Sequence, residues 1–461
     1  MQDLLKTNTR FALTFDEWTS GRNRRFLNLV LHHGVSNILN LGLNRRTGKA
    51  TGENLSIVKS EIEKFGLDFS KHIVCIMTDG CPTMTKLGRL ADPVPQQLCY
   101  AHALQLSVLD VLYVNKKDQK DGEEDLEELF TDDEKSDQES DEKHDPELDC
   151  DLRVNSQPEF PFKYREDIHK MIKKVRSISK HFRMSPLANE GLQHHVLKFH
   201  DKELQLIMNV RTRWSSMFAM LERFSFLHPC IKKALKDEKK EDLLKDIDFE
   251  FLDELIDALR PLEYLTRKLC QRDANLFTTD AVFSVALNKL LQLDTRTSNT
   301  LYNSIFKRLS ERRTIISDVL YYLHTGKLER GPTFAFNMSD RLSILNFMKK
   351  LVCRLTSGVE QNQDDQVNSE DCEEPPIEPV QTMEEEMELE LKRMLQTSPS
   401  IIANKPLTLL QKIKREMELF EDGGTLGKNL QFVYDVLSIV KPTSVESERV
   451  FSSSETFVLV V

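Results

Sequence analysis

Two aspartates lie where a β-sheet would bring them together. Asp16 lies near the end of the apolar run RFALTFDEW, and Asp79 follows the fully apolar run HIVCIMT. If these runs are neighbouring strands of one sheet, both carboxylates project from the same edge, close enough to share a divalent cation. Hard oxygen ligands of this kind suit Mg²⁺ or Mn²⁺. An aspartate at a strand end is also a common turn initiator, so the pair alone leaves both interpretations open.

A cysteine and a histidine lie three residues apart in the segment CYAH. Cys99 and His102 have the spacing of half a zinc site, but no second CxxC or HxxxH half follows at a suitable distance. Packing, or support of a neighbouring site, is the alternative interpretation.

A tryptophan follows two arginines in the segment RTRWSSM. Arg211, Arg213 and Trp214 offer the combination of phosphate contact and base stacking that nucleic-acid binding uses. The alternative is a tryptophan at a helix entry that packs into a helical bundle.

The segment KPTSVESERV predicts the start of a helix. Thr443 and Glu446 have the T-x-x-E spacing of a capping box that directly follows Pro442. Glu448 then falls in the first turns, where the helix dipole favours a carboxylate. Helix-start chemistry therefore accounts for these glutamates without catalysis.

The elements that must position these residues fall into two blocks. Residues 10–115 predict the order β-β-β-α-β-α-β-α, in which three sequential strands precede a crossover to further strands. The chain then becomes helical, and apolar residues at helical spacing predict helices near 164–183, 203–235, 248–271, 279–293, 301–325, 383–396 and 406–421.

The net charge of −11 is distributed very unevenly. Residues 118–151 hold 18 acidic residues against three lysines, and residues 360–390 hold 13 acidic residues and no Lys or Arg. Without these two blocks the chain carries +17. Such dense acidic runs predict disordered inserts. The basic remainder suits a polyanionic partner, although Lys and Arg also simply keep helices soluble.

Several protein classes do not fit the composition. No apolar run approaches the roughly 18 residues of a membrane span, and the first residues lack the layout of a signal peptide. The eight cysteines are scattered without CxxC pairs, so free thiols are expected. These features predict a protein of the cytosol or nucleus with no membrane partner.

Five short blocks together resemble the hAT superfamily of DNA transposases and its domesticated relatives. They occur in the family's order and at similar separations: LTFDEWTS, IVCIMTDG, LCYAHALQLSV, RTRWSSM and LSIVKPTSVESERVFSSS. The last block resembles the hAT C-terminal dimerisation motif, and the resemblance spans about 10–455 apart from the acidic stretches.

The resemblance implies an α/β RNase H-like core interrupted by a large all-α insertion domain. The expected divisions are the first part of the core (1–115), an acidic insert (116–155), the helical domain (156–357), an acidic linker (358–391) and C-terminal helices that return to the core (392–461). These divisions agree with the two blocks of predicted elements.

The resemblance also implies roles for the candidate residues. Asp16, Asp79 and Glu448 match the three catalytic acids, which bind two Mg²⁺ or Mn²⁺ ions for DNA strand cleavage and transfer. Cys99 and His102 match a pair beside that site.

The third set of implied roles concerns nucleic acid. Trp214 matches a tryptophan that stacks on an extruded base, and Arg211 and Arg213 are expected to contact nucleic acid beside it.

The chain departs from the family pattern at four places. Gly80 stands where Asn is usual, and Asn209 stands where an acid is common. The family's BED-type zinc finger would precede Asp16, and after SERVFSS the family continues in a long basic helix where this chain reads SETFVLVV. A truncated dimerisation region is therefore expected.

We accordingly predict a nuclear, transposase-derived protein that binds DNA, forms a homo-oligomer through a weakened C-terminal region and does not catalyse strand transfer. Two alternatives stay open at this point. One is a protein-interaction scaffold without a role on DNA, and the other is an active two-metal DNA strand-transferase.

Overall fold

The computed structural model describes residues 9–19, 24–34, 36–46, 53–115, 162–209, 214–356, 407–447 and 449. Both predicted acidic inserts, the predicted helix 383–396, Arg211, Arg213 and Glu448 lie outside these residues.

A mixed sheet of five strands forms the first block. Its strands are β1 (Phe11–Thr19), β2 (Arg25–His33), β3 (Asn37–Arg46), β4 (Ile73–Thr78) and β5 (Gln96–Leu98). The spatial order is β3-β2-β1-β4-β5. The first three strands form an antiparallel meander, whereas β4 pairs parallel with β1 and β5 pairs parallel with β4. A sheet with helices on both faces agrees with the predicted α/β core.

One face of the sheet is covered by three helices from the same block. They are α1 (Glu53–Lys64), α2 (Phe69–His72) and α3 (Pro82–Leu90). Alternate residues of β1, namely Phe11, Leu13 and Phe15, belong to the core beneath these helices. Because side chains alternate between the faces of a strand, Ala12, Thr14 and Asp16 point to the opposite face.

The opposite face is covered by α4 (Tyr100–Leu112), which directly follows β5. Nearly every residue of this helix is buried, including Tyr100, Leu104, Val108 and Leu112. A helix that is apolar on all sides must lie inside the protein. It lies between the sheet and the second block, and Ala12 and Cys75 of the sheet share one continuous core with it.

Helices form the second block. They are α5 (Glu166–Met184), α6 (Pro186–His200), α7 (Trp214–Asp237), α8 (Phe249–Leu269), α9 (Leu276–Leu293), α10 (Arg296–Arg312), α11 (Ile315–Thr325), α12 (Arg341–Thr356), α13 (Leu409–Glu421) and α14 (Lys428–Ser438). A short antiparallel pair, β6 (Tyr113–Asn115) and β7 (Phe162–Tyr164), lies where the chain passes from α4 to α5. None of the helices in the described part of the chain is long and apolar enough to cross a membrane.

Two predicted helices have different bounds in the structure. The helix predicted over 203–235 begins only at Trp214, because residues 203–209 have an irregular backbone. The helix predicted over 301–325 is two helices, α10 and α11, separated by Arg313 and Thr314, both of which have extended backbone. The apolar periodicity continues across this break, so hydrophobic spacing alone does not reveal it.

A buried ionic network explains the break between α10 and α11. The Arg313 guanidinium pairs with Asp280 (3.0 Å) and with Asp318, and Arg330 pairs with Asp280 (2.9 Å) and Asp318 (3.2 Å). The hydroxyl of Ser339 also donates to Asp318 (2.6 Å). The network draws Arg313 into the helical core, and the backbone leaves the helix there.

Two arginines attach the helical block to the sheet. Arg354 of α12 donates to the carbonyls of Ser70, Ile73 and Val74, where the chain enters β4. Arg10, just before β1, donates to the carbonyl of Leu355. These contacts hold the starts of β1 and β4 against the same helix, which fixes their relative register.

Loss of one acid of the buried network should destabilise the protein strongly. In Asp318→Ala, two arginines lose a partner inside the core, so we expect the free energy of unfolding to fall by about 3–5 kcal/mol. Urea unfolding followed by circular dichroism measures this. As a control, Glu166→Ala removes an exposed ion pair with Lys170 and should leave the urea midpoint unchanged. Equal effects of the two substitutions would contradict the proposed role of the network.

Candidate functional site

Asp16 and Asp79 meet at one edge of the sheet. β1 and β4 run parallel, with Ala12 opposite Cys75 and Thr14 opposite Met77. Continued by two residues, this register sets Asp16 opposite Asp79. Asp16 lies within β1, which continues to Thr19, and not at the strand end that the sequence predicted, whereas Asp79 directly follows β4. The two acids lie side by side on the face that is covered by α4.

The two carboxylates repel each other. Burial of Asp16, together with the negative charge of Asp79, raises the pKa of the Asp16 carboxyl to about 8. One oxygen of Asp16 accepts a hydrogen bond from the backbone N–H of Glu17 (2.8 Å), which opposes this shift only in part. Two acids held together in this way are an arrangement that a divalent cation would relieve.

Asn28 adds a third oxygen to this edge. It lies directly opposite Asp16 in the antiparallel pair β1–β2. Its side chain is fully buried, and its Oδ1 has no hydrogen-bond partner among the described residues. A buried amide oxygen without a donor is suited to a cation, and amide and carboxylate oxygens are the ligands of Mg²⁺ and Mn²⁺. The residues present therefore fit the implied metal.

The turn after β4 orients Asp79. Its carboxylate accepts a hydrogen bond from the N–H of Cys81 (3.3 Å), and its carbonyl accepts one from the hydroxyl of Thr78 (3.0 Å). Burial, with the adjacent charge of Asp79, raises the pKa of the Cys81 thiol to about 12. Cys81 is thus a protonated neighbour of Asp79 and not a thiolate.

Cys99 and His102 lie at the start of α4, beside the same edge. Cys99 is fully buried, and its Sγ accepts a hydrogen bond from the N–H of Ser444 (3.4 Å). Burial and the positive charge of Arg312 lower the pKa of His102 to about 4, so its imidazole is neutral at neutral pH. Both residues lie beside the acids, and their predicted supporting role stays a prediction.

No zinc site accompanies this pair in the described part of the chain. No group of three or more His, Cys, Asp or Glu side chains there could hold a metal ion. Cys99 and His102 therefore have no second pair of zinc ligands among these residues.

The C-terminal segment packs against the sheet beside this edge. The carbonyl of Pro442 accepts a hydrogen bond from the N–H of Tyr100 (2.9 Å), and Asn28 Nδ2 approaches the carbonyl of Ser447 at 3.5 Å. Ser447 is fully buried. Glu448 itself lies outside the described residues, so its part in the site stays a prediction.

The capping box predicted in this segment is not formed. Helical backbone begins at Val445, after Ser444, and not directly after Thr443. The carboxylate of Glu446 pairs instead with Arg449 and with Arg272 (3.6 Å). Two arginines nearby in space compete better for a carboxylate than a single backbone N–H does.

Trp214 lies elsewhere, at the start of α7. Only 3% of its surface is exposed, and it belongs to the core of the helical block. This position agrees with the interpretation of a tryptophan that packs at a helix entry. Base stacking would require exposure of the indole, and that role stays a prediction, as do those of Arg211 and Arg213.

Sequence reasoning missed Asn28 and Arg312, and it recorded Gly80 only as a departure from the family. A signal for Asn28 was present, because it is the polar residue inside the apolar run FLNLVL of β2. Arg312 has no comparable local signal, since only the packing of α10 against α4 brings it to the sheet.

Comparisons with known proteins find a similarity to a helical domain in the second block of this chain. Residues 166–247 match the family described as the ZBED1 RNase-like helical domain. The match spans α5, α6 and α7. A second similarity, at 24% identity over 340 residues, is to the candidate transcriptional regulator tpeD of Talaromyces stipitatus. That alignment covers 70% of this chain but 34% of tpeD, so the chain spans about a third of that relative's length.

The raised pKa of Asp16 predicts a pH-dependent stability change. Between about pH 4 and pH 8 the folded protein holds a proton that the unfolded chain releases, so Asp16 destabilises the metal-free protein increasingly as the pH rises through this window. We expect Asp16→Asn to raise the free energy of unfolding by about 1–2 kcal/mol above pH 8, a value reduced for partial solvent access.

The difference between Asp16→Asn and the unsubstituted chain should be smallest below about pH 3, where the aspartate is protonated in both states. Urea unfolding in the presence of a chelator at the two pH values measures it. A stability difference that is the same at both would contradict the assignment.

Proposed function

We propose that this chain is a nuclear, nucleic-acid-binding protein derived from a hAT-type transposase, and that it forms a homo-oligomer through its C-terminal region. The observation that carries the proposal is the match of residues 166–247 to a ZBED1 RNase-like helical domain, in a chain whose preceding sheet holds Asp16 opposite Asp79. The name of the relative tpeD, a candidate transcriptional regulator, is consistent with work on DNA in the nucleus.

The sheet is proposed to be an RNase H-like core. An antiparallel meander of three strands, followed by parallel strands on the far side of β1, supports this. Asp16 within β1 and Asp79 directly after β4 support it further, because the resemblance implies a site where these two acids lie.

Binding to a polyanion is supported by charge. Outside the blocks 118–151 and 360–390 the chain carries +17. Lysines and arginines that neutralise backbone phosphates release condensed counterions, and this term supplies most sequence-independent affinity for DNA. The proposed function therefore needs no base-specific contact.

The proposed function predicts a steep salt dependence. If about six phosphates are contacted, the logarithm of the association constant should fall with the logarithm of salt concentration at a slope near −5. Fluorescence anisotropy of the full chain with a labelled random DNA duplex, from 50 to 200 mM KCl, measures it.

The alternative of a protein-interaction scaffold predicts the opposite result. The association constant for DNA would not change with salt concentration, or no binding would be detected. The acidic blocks could compete with DNA for the basic surface. A variant in which the acids of residues 118–151 and 360–390 are replaced by their amides controls for this competition. Absence of salt-dependent binding in both chains would contradict the proposed function.

Strand transfer is a second candidate function, favoured by the juxtaposition of Asp16 and Asp79. Asp16, Asp79 and Glu448 would be the residues that hold Mg²⁺ or Mn²⁺, which would supply Lewis acidity to the phosphodiester. Two differences from the family pattern argue against it. Gly80 replaces the usual Asn after Asp79, and Asn209 replaces an acid and is held by Arg176 (2.7 Å).

We therefore expect binding without catalysis. Incubation of the full chain with hairpin and nicked DNA substrates and Mn²⁺ should give no strand-transfer product on a sequencing gel. Product that forms with the unsubstituted chain and disappears in Asp79→Ala would establish the catalytic alternative. Product that persists in Asp79→Ala would indicate a contaminating nuclease.

A further inference from the structure

Arg312 lies against the acidic edge, in the space that a side chain at position 80 would occupy. Arg312 is the last residue of α10, and its guanidinium lies against Gly80, directly after Asp79. A Cβ placed on Gly80 would lie closer than 3.0 Å to three guanidinium atoms of Arg312. Any side chain at position 80 would therefore displace the arginine.

The backbone around Arg312 is fixed from two sides. The buried Gln97 of β5 donates to the carbonyl of Arg312 (3.1 Å) and accepts from the hydroxyl of Thr314 (2.7 Å). Arg313 is held by the buried network with Asp280 and Asp318. Consecutive arginines thus point in different directions, Arg313 into the helical core and Arg312 towards the sheet.

Arg312 retains unused hydrogen-bond donors. Its Nη1 donates to the carbonyl of Cys99 (3.0 Å), and no carboxylate among the described residues forms an ion pair with it. Burial lowers the pKa of Arg312, which shows that its charge is partly removed from water. A guanidinium stays charged at physiological pH, so such a group attracts an anion.

Arg308 lies one turn earlier on the same helix and, in contrast to Arg312, is paired with a carboxylate. Its guanidinium forms two hydrogen bonds to Asp110, from Nε (2.6 Å) and from Nη2 (2.7 Å). The corresponding fork of Arg312 makes no such contact with the described residues. The Nε and Nη2 donors of an arginine match two oxygens of a phosphate as well as they match a carboxylate.

We propose that Arg312 binds a backbone phosphate of nucleic acid at the Asp16–Asp79 edge, and that Gly80 provides the space for its guanidinium. This inference rests on the proposed nucleic-acid function. The N-terminus of α4, which begins at Tyr100 beside the same edge, adds a favourable dipole for an anion.

Replacement of Arg312 should remove one phosphate contact. In Arg312→Gln, the log–log salt slope for a labelled random 20-bp DNA duplex should become shallower by about 1, and affinity at low salt should fall roughly tenfold. Arg312→Lys should retain the slope, since it keeps the charge. Arg308→Gln is the matched control and should leave the slope unchanged, because Asp110 already occupies that arginine.

Gly80→Ala tests the second half of the proposal without removing the arginine. Its Cβ shifts the guanidinium but leaves its charge, so we expect affinity at low salt to fall by less than in Arg312→Gln while the slope is kept. Circular dichroism and thermal unfolding of each full-length variant show whether the fold is retained, and Gly80→Ala keeps the test decisive if Arg312→Gln does not fold.

The outcomes separate the two proposals. If the unsubstituted chain shows no salt-dependent binding, the proposed function and this inference are both wrong. If it binds steeply, Arg312→Gln keeps its slope and Gly80→Ala keeps its low-salt affinity, the inference alone is wrong, and Arg312 then serves only to balance the charge of Asp79.

Discussion

Burial of α4 on all sides is the constraint on which the rest of the structure depends. Its residues pack against the sheet on one side and against the helical block on the other, so the two blocks share one core. Its first turn receives the C-terminal segment through Tyr100 and Cys99, and α10 lies along its length. A helix in this position brings three distant parts of the chain to the end of β1 and β4.

The edge that these parts form is electrostatically unfavourable in the protein alone. Asp16 is held next to Asp79 at a raised pKa, the buried Oδ1 of Asn28 has no donor among the described residues, and the partly desolvated Arg312 has no ion pair in the described part of the chain. Each feature lowers the stability of the folded protein. Cations beside Asp16, Asp79 and Asn28, together with a phosphate beside Arg312, would remove these unfavourable interactions. Binding and catalytic sites characteristically contain groups that lower the stability of the folded protein in this way.

The distant contacts that attach the helical block to the sheet are mostly hydrogen bonds to backbone carbonyls. Gln97, Arg354 and Arg10 each donate to a carbonyl from another part of the chain. Such contacts fix position without requiring a matching side chain. A side chain that bonds to a backbone carbonyl needs no particular residue type as its partner. The sequence therefore did not predict that α10 and α12 attach to the sheet.

Local patterns were sufficient for the parts of the fold that depend on local physics. The apolar run of β1, the fully apolar run of β4 and the apolar stripe of α5 predicted those elements, because the spacing of apolar residues indicates whether one face or both faces of an element are buried. The position of Asp79 directly after a strand followed from the same patterns, whereas β1 continues beyond Asp16 to Thr19. The helix predicted over 301–325 failed because the network around Arg313 overrides periodicity, and the capping box failed because Arg272 and Arg449 compete for Glu446.

The sequence by itself determined the two-block organisation, the strands that carry the two aspartates, and the separation of charge into acidic stretches and a basic remainder. Only the tertiary structure decided that β1 and β4 are neighbours in a register that opposes the acids. It also decided that Asn28 and Arg312 reach the same edge, and that Arg312 does so across Gly80. The physical reason is that local propensity acts within a few residues, whereas the charges and hydrogen bonds of this edge join residues from different strands and helices.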